Sequence, residues 1–489
     1  MFNKLKELTK DTAIYGISTM VGRFLNFILV PFYTNVFSPS DYGIVQLIYA
    51  YLAILNILYI YGLDSAYLKF ASLKDEGSNK DNFSTPYLAV FGSSLLITLL
   101  IVINSEAIGT TLRIPSQYIY LIYFAAGIIF IDANTVIPFL KLRLDRKAKI
   151  FSLYKIINIS VNIFLNFYLI LALKWGIEAI LVSNLIATIV SLILLVPTIV
   201  KNFRFKFQSS LFKRMLKFGL PFLPAGFAVM LVQVIDVPIL ERLTDLKTVG
   251  IYKANYKLGI FMMLFVNMFQ YAWQPFFLQN AKDPKAKEMF SKVLTYFTLV
   301  GSIILIVLSL FITDISQIKI AGYSLIGEQY WPGLHIIPIV LLAYLINGMY
   351  VIFSAGIYIE EKSVYVPMIT GAGALVNVAA NFILIPVLNI TGAAVATLAS
   401  YLVMAFGYYY VTQKFFEVKY ELKRIGHVFF AVLIVGVLFY YLYSIDKLFF
   451  IYKMLLLILF TAYIYFVAVN RTEINLIRKK FAESRNRKN

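Results

Sequence analysis

Apolar runs of membrane-spanning length recur along the whole chain, separated by short polar segments. The opening pair, DTAIYGISTMVGRFLNFILVPFYTNVF and IVQLIYAYLAILNILYIYG, is joined by the turn FSPSDYG at residues 37–43. Ser, Pro, Asp and Gly crowd that turn and reverse the chain sharply. At about 20 apolar residues per crossing, fourteen spans are expected. They lie at roughly 12–36, 43–68, 84–105, 117–140, 150–172, 177–199 and 216–240 in the first half. The remainder fall at roughly 248–275, 291–313, 331–356, 365–388, 392–413, 425–443 and 450–469. The pattern predicts an all-α polytopic membrane protein.

Two stretches repeat. VNIFLNFYLI (161–170) and VNVAANFILI (376–385) match at six of ten positions, and each precedes a helix led by Gly176 or Gly392. DYGIVQL (41–47) has a weaker echo in TVGIYKA (248–254), the two repeats being spaced 207 to 216 residues, or six helices, apart. An even number of crossings preserves orientation, which implies two parallel six-helix lobes facing each other across a substrate path. The expected lobes are 1–205 and 206–420, with two further spans and a basic tail in 421–489. The seventh span opens on FGLPFLPAGF, where Pro221 and Pro224 predict a kink or a hinge.

Composition agrees with that reading. The 489 residues are 60% hydrophobic and only 14% charged, against about a quarter charged in soluble domains. The net charge of +19 could suit nucleic acid, yet the cations cluster between apolar runs. With the N-terminus inside, the inner segments hold 33 of the 44 Lys and Arg and the outer loops six, a bias that places both termini in the cytoplasm. The basic start MFNKLKELTK precedes an apolar run too long for a signal-peptide core, so the first helix is expected to act as an uncleaved insertion signal. Cysteine is absent, the outer loops are short, and neither a cofactor nor a metal site is implied.

The candidate chemistry lies in charges inside spans, each costing roughly 2.5–3.5 kcal/mol on insertion scales. Arg23 and Lys257 fall near mid-membrane, Lys253 one turn from Lys257, and Lys155 and Asp132 at comparable depths nearer the inner surface. Asp64, Glu178 and Asp236 fall close to the interfaces, where solvation explains them. His335 reads as a packed side chain. Polar stripes accompany the cations: Asn158, Asn162 and Asn166; Asn267, Gln270 and Gln274; Asn377 and Asn381. Such stripes glue helices or line a wet cavity, and the repeat-related Asn pairs favour the former. Asn26 stands beside Arg23 as a hydrogen-bonding neighbour. The set Arg23, Lys155, Lys253 and Lys257 against Asp132 makes a cationic lumen, suited to phosphates or carboxylates.

The tenth to twelfth spans, IIPIVLLAYLINGMYVIFSAGIYIEEKS and VNVAANFILIPVLNITGAAVATLAS, resemble polysaccharide flippases of the multidrug/oligosaccharidyl-lipid/polysaccharide exporter superfamily. FSPSDYGIVQL, FGLPFLPAG and VGIYKANYKLG are similar too, so the likeness covers nearly the whole chain. It implies a Wzx-type flippase of the bacterial cytoplasmic membrane, moving undecaprenyl-diphosphate-linked oligosaccharide from the inner to the outer leaflet for O-antigen or another surface polysaccharide. The implied partners are that substrate, membrane lipids and polysaccharide-assembly proteins, with no nucleic acid and no enzymatic step. In related lipid II flippases, cavity arginines engage the diphosphate and the last two helices form a groove for the lipid tail. Arg23 matches such a place, and Lys257 a frequently basic position in YKLG. The rivals are a cation-coupled drug exporter, needing Asp132 as its membrane carboxylate, a membrane polymerase or ligase, and a scaffold.

Overall fold

The structure is a computed structural model describing residues 22, 24–25, 27–73, 79–320, 322–447 and 449–468. The first half holds α1 (Phe27–Val36), α2 (Pro39–Ile60), α3 (Leu63–Leu73) and α4 (Asn79–Ile103). It continues through α5 (Ser105–Thr111), α6 (Leu121–Leu144), α7 (Ala148–Phe167) and α8 (Glu178–Asn202). Next come α9 (Ser209–Gly219), α10 (Leu223–Val234), α11 (Asp236–Leu243), α12 (Leu246–Tyr256) and α13 (Ile260–Asn280). The remainder is α14 (Ala286–Gln317), α15 (Ile337–Phe353), α16 (Ala355–Ile359), α17 (Tyr365–Leu388), α18 (Ile390–Phe415), α19 (Leu422–Ser444) and α20 (Phe450–Tyr463).

Among the described residues, twelve helical stretches are long and apolar enough to cross a membrane. The other two expected crossings differ for separate reasons. Only the end of the span 12–36 is described, as α1. The span 248–275 is helical through α12, a 3₁₀ turn at Lys257–Gly259 and α13, but Lys253, Lys257, Asn267, Gln270 and Gln274 make it too polar to count among the twelve. The seventh span also contains a 3₁₀ turn, with Pro221 and Pro224 each at the start of a new helical segment, where a missing N–H costs least. A two-stranded hairpin pairs Lys319–Ile320 with Tyr323–Ser324 between α14 and α15. Both α19 and α20 pack on α14, and Lys453 of α20 meets Asp314 of α14 at 2.5 Å.

The two repeats meet at one end of the bundle, which the charge bias predicts to be the outer end. Ser38 caps α2 by accepting from the Asp41 N–H, and Asp245 caps α12 by accepting from the Thr248 N–H. From these corresponding starts the two helices cross at Gly43 and Gly250. A Cβ at Gly43 would collide with the Leu246 carbonyl, and one at Gly250 with the Pro39 carbonyl, so neither position admits a side chain. The contact is reciprocal, as a two-fold relation between the repeats requires. Around it, the Asn35 side chain donates to the Ser324 carbonyl at 2.7 Å and accepts from the Ser324 N–H at 3.2 Å. The Gly327 N–H donates to Thr34 at 3.1 Å, and the Tyr330 hydroxyl to the Phe37 carbonyl at 3.0 Å.

The Asn pairs repeat the symmetry. Asn166 donates to the Asn162 carbonyl at 2.8 Å and side-chain oxygen at 3.2 Å, and Asn381 does the same to Asn377 at 2.8 and 3.1 Å. Asn166, Asn377 and Asn381 are buried, and Asn158 joins α7 to α8 through Ala187 and Ser191. Asn158 thus ties two helices together, and Asn166 accepts from the Tyr33 hydroxyl of α1 at 2.7 Å, whereas the bonds between Asn377 and Asn381 lie within α17.

Forcing a methyl group into a tight core contact costs typically 1–3 kcal/mol. Gly250→Ala should therefore loosen the outer end. Because the chain has no cysteine, Asn347→Cys inside the bundle provides a clean probe for a membrane-impermeant maleimide added outside. Adding Gly250→Ala should speed its labelling about tenfold. An unchanged rate would show that this backbone crossing does not hold the outer end shut.

Candidate functional site

Below the Gly43–Gly250 crossing lies a cavity of about 560 Å³ walled by α1, α10, the α12–α13 junction, α15 and α18. Lys253, Lys257, Asn267 and Gln270 line it, as the charge and stripe pattern anticipates. Gln274 lies one turn on, in an adjoining cavity of about 240 Å³. The two share Gln233, Gln270, Asn347, Tyr350 and Tyr401, so they form one polar path through the C-terminal lobe.

The two lysines are held differently. Lys253 sits 4.0 Å from the Asp236 carboxylate, whose other oxygen accepts from the Tyr252 hydroxyl at 2.6 Å. The Val237 N–H donates to the same carboxylate at 3.0 Å, and the Lys253 ammonium also lies 4.7 Å from the Tyr256 ring centroid. That pair is buried and neutral overall. Lys257 instead donates to the hydroxyl of Tyr42, across from the other lobe, at 3.0 Å. The Tyr42 ring is fully buried and packs edge-on against Tyr330 at 6.0 Å, within the outer contact. Among the described residues no carboxylate pairs with Lys257. A cation facing a cavity with only a phenol for company keeps donor capacity for an anion. Nearby, the Asn267 side-chain nitrogen is buried and has no hydrogen-bond partner among the described residues.

Lys155 and Asp132 are elsewhere. They line a second cavity of about 500 Å³ within the N-terminal lobe, between α2, α6, α7 and α8, which shares no lining residue with the first. Among the described residues, the expected lumen cations are thus divided between two cavities, Lys155 in one and Lys253 and Lys257 in the other. Arg23 and Asn26 lie outside the described residues. His335 is satisfied by the Pro332 carbonyl at 2.8 Å and Thr391 at 2.9 Å, so it is a packed side chain.

Asp236 is the notable residue that sequence reasoning set aside. Depth along the span puts it near an interface, yet Asp236 is only 2% exposed, covered by Tyr252 and Lys253 of α12. Gln233, Asn347, Tyr350 and Tyr401 also escaped notice. The signal for Asn347 was present, as a lone amide in the apolar run IIPIVLLAYLINGMYVIF.

Residues 8–281, more than half of the chain, match the model of a family described as polysaccharide biosynthesis protein. The chain belongs to that family. No curated protein sequence matches it significantly. Among solved structures, the lipid II flippase MurJ in an inward closed conformation is similar at 16% identity and a TM-score of 0.71, over 93% of this chain and 98% of that one. An inward-facing multidrug resistance transporter of the MATE family, in the MOP superfamily, is similar at 13% identity and a TM-score of 0.65, over 82% of this chain and 97% of that one. An outward-facing MATE structure matches less well, at a TM-score of 0.57 and 13% identity, over 83% and 95%. The polysaccharide biosynthesis family thus carries the MOP-superfamily fold here, a multi-pass membrane protein of two pseudo-symmetric helical lobes with two added helices.

Removing one partner of a buried ion pair typically costs 3–5 kcal/mol, since the other charge is left uncompensated. Asp236→Asn should therefore destabilise the protein by about 3 kcal/mol in thermal unfolding, and Asp236→Asn with Lys253→Met should regain most of it. Equal stability of the single variant and the wild type would mean that Lys253 draws nothing from Asp236.

Proposed function

We propose that this protein flips an undecaprenyl-diphosphate-linked oligosaccharide from the inner to the outer leaflet of a bacterial cytoplasmic membrane, for cell-surface polysaccharide synthesis. The lobes 1–205 and 206–420 rock about the outer crossing, and both termini face the cytoplasm. The polyprenyl chain stays in lipid while the head group enters between the lobes. No covalent bond changes. Membrane lipids surround the carrier, and polysaccharide-assembly proteins receive its product.

The observation that carries this reading is Lys257, a mid-bundle cation on a cavity wall whose described partner is the neutral Tyr42 hydroxyl. A diphosphate accepts charge-assisted hydrogen bonds, worth more than the neutral bond it replaces. Drawing Lys257 away from Tyr42 would also remove a link across the outer seal, so substrate binding favours opening to the outside. Lys253 contributes less free charge, being paired with Asp236. Arg23 and Asn26 join the diphosphate site from the first helix, while Asn267, Gln270 and Gln274 offer amides to the head group along the polar path. Family membership supports a polysaccharide substrate, and the fold shared with MurJ supports a lipid carrier.

The test is transport of a fluorescent undecaprenyl-diphosphate oligosaccharide in proteoliposomes. A hydrogen bond to a charged group contributes about 1.5–3 kcal/mol, so Lys257→Ala should lower the flipping rate about tenfold or more. Tyr42→Phe, which frees Lys257 without removing it, should leave substrate binding intact. Full transport by a folded Lys257→Ala protein would make the lysine structural and sink the assignment.

A further inference from the structure

The N-terminal cavity is chemically unlike the first. Its wall combines an acceptor-only carboxylate, Asp132, with a donor-only ammonium, Lys155, and with Asn56, Asn184 and Tyr49. Asp132 and Lys155 attract each other, yet among the described residues no ion pair within 4.0 Å joins them, and both side chains are exposed to the cavity. The Lys155 ammonium rests instead 4.2 Å from the Phe139 ring centroid. Asn184 donates to the Tyr49 oxygen at 2.9 Å, which leaves the amide oxygen of Asn184 as an acceptor and the Tyr49 proton as a donor.

A phosphate site is built from donors, and a carboxylate in it repels the ligand. A site for an organic cation has no use for Lys155 with Arg143 at the same cavity. Alternating donors and acceptors are what hydroxyl groups need, since each both gives and takes a hydrogen bond. The volume, about 500 Å³, falls in the range of small-molecule sites and far above that of an ion.

Position points the same way. Tyr42, which holds Lys257, and Tyr49, which lines this cavity, lie seven residues apart on α2 and so on one helix face. Two turns separate them by about 10 Å along the axis. A glycan attached to a diphosphate at Lys257 would reach Tyr49 within its first sugars.

We infer that the N-terminal cavity is a glycan subsite, binding the sugars nearest the diphosphate through Asp132, Lys155, Asn184 and Tyr49. This rests on the flippase reading and assigns the two ends of the substrate to different lobes. One head group then spans both bodies that must move.

The full-length protein in nanodiscs is titrated with two probes: undecaprenyl diphosphate, and the undecaprenyl-diphosphate oligosaccharide extracted from cells that make this protein. Wild type should bind the glycosylated probe about tenfold more tightly. Asp132→Asn, and separately Asn184→Ala, should erase that preference and keep the affinity for the bare diphosphate lipid, which also reports correct folding. Lys257→Ala should weaken both probes by the same factor. Equal binding of the two probes by wild type overturns this inference alone, and failure to bind either overturns the flippase reading with it. A preference that survives Asp132→Asn overturns it too.

Discussion

The contact on which the rest depends is the backbone crossing of Gly43 and Gly250. With no Cβ on either side, α2 and α12 approach until each helix meets a carbonyl of the other. This brings Tyr42, next to Gly43, into the seam and over Lys257, the residue that follows Tyr256 at the end of α12. The cavity therefore has a ceiling made from both repeats. A side chain at either glycine would separate the ceiling from the lysine below it, so seal and site are one construction.

Burying cations in the membrane is costly, and the two lysines meet that cost differently. Lys253 is compensated by Asp236, itself held by Tyr252 and the Val237 N–H, which makes a neutral buried unit. Lys257 has instead the Tyr42 hydroxyl and a cavity large enough for water. Two adjacent lysines of similar depth can thus serve opposite ends, one closing the structure and one keeping it open to a ligand. Counting both as equal charges in a common lumen would miss this.

The spans were legible in the sequence because a lipid phase forbids unsatisfied backbone groups, so every crossing must be a long apolar helix. The repeated Asn pairs were legible as well, since identical residues at corresponding positions make identical hydrogen bonds in both lobes. The 3₁₀ turns within 219–223 and 256–260 were less so. Prolines announce the first, whereas the second has none. At Gly259 the 3₁₀ turn accompanies close packing on Val340 and Tyr344 of α15, a contact no local pattern encodes. Depth counted at 1.5 Å per residue places a residue along the membrane normal but not the neighbours that cover it, so the burial of Asp236 under Tyr252 and Lys253 is not legible from its position in the span.

That second turn also explains where function can reside in so apolar a chain. A continuous helix would satisfy its own backbone and present Lys257 from a rigid rod. The short 3₁₀ turn, a common mark of a hinge, places the lysine where α12, fixed in the seam, gives way to α13, which lines the cavity with Asn267 and Gln270. Movement of α13 relative to α12 would change the cavity without breaking the glycine crossing, and movement of the crossing would tug directly on Lys257 through Tyr42. Lys257 is therefore joined to α12 and α13 through the chain and to α2 through Tyr42.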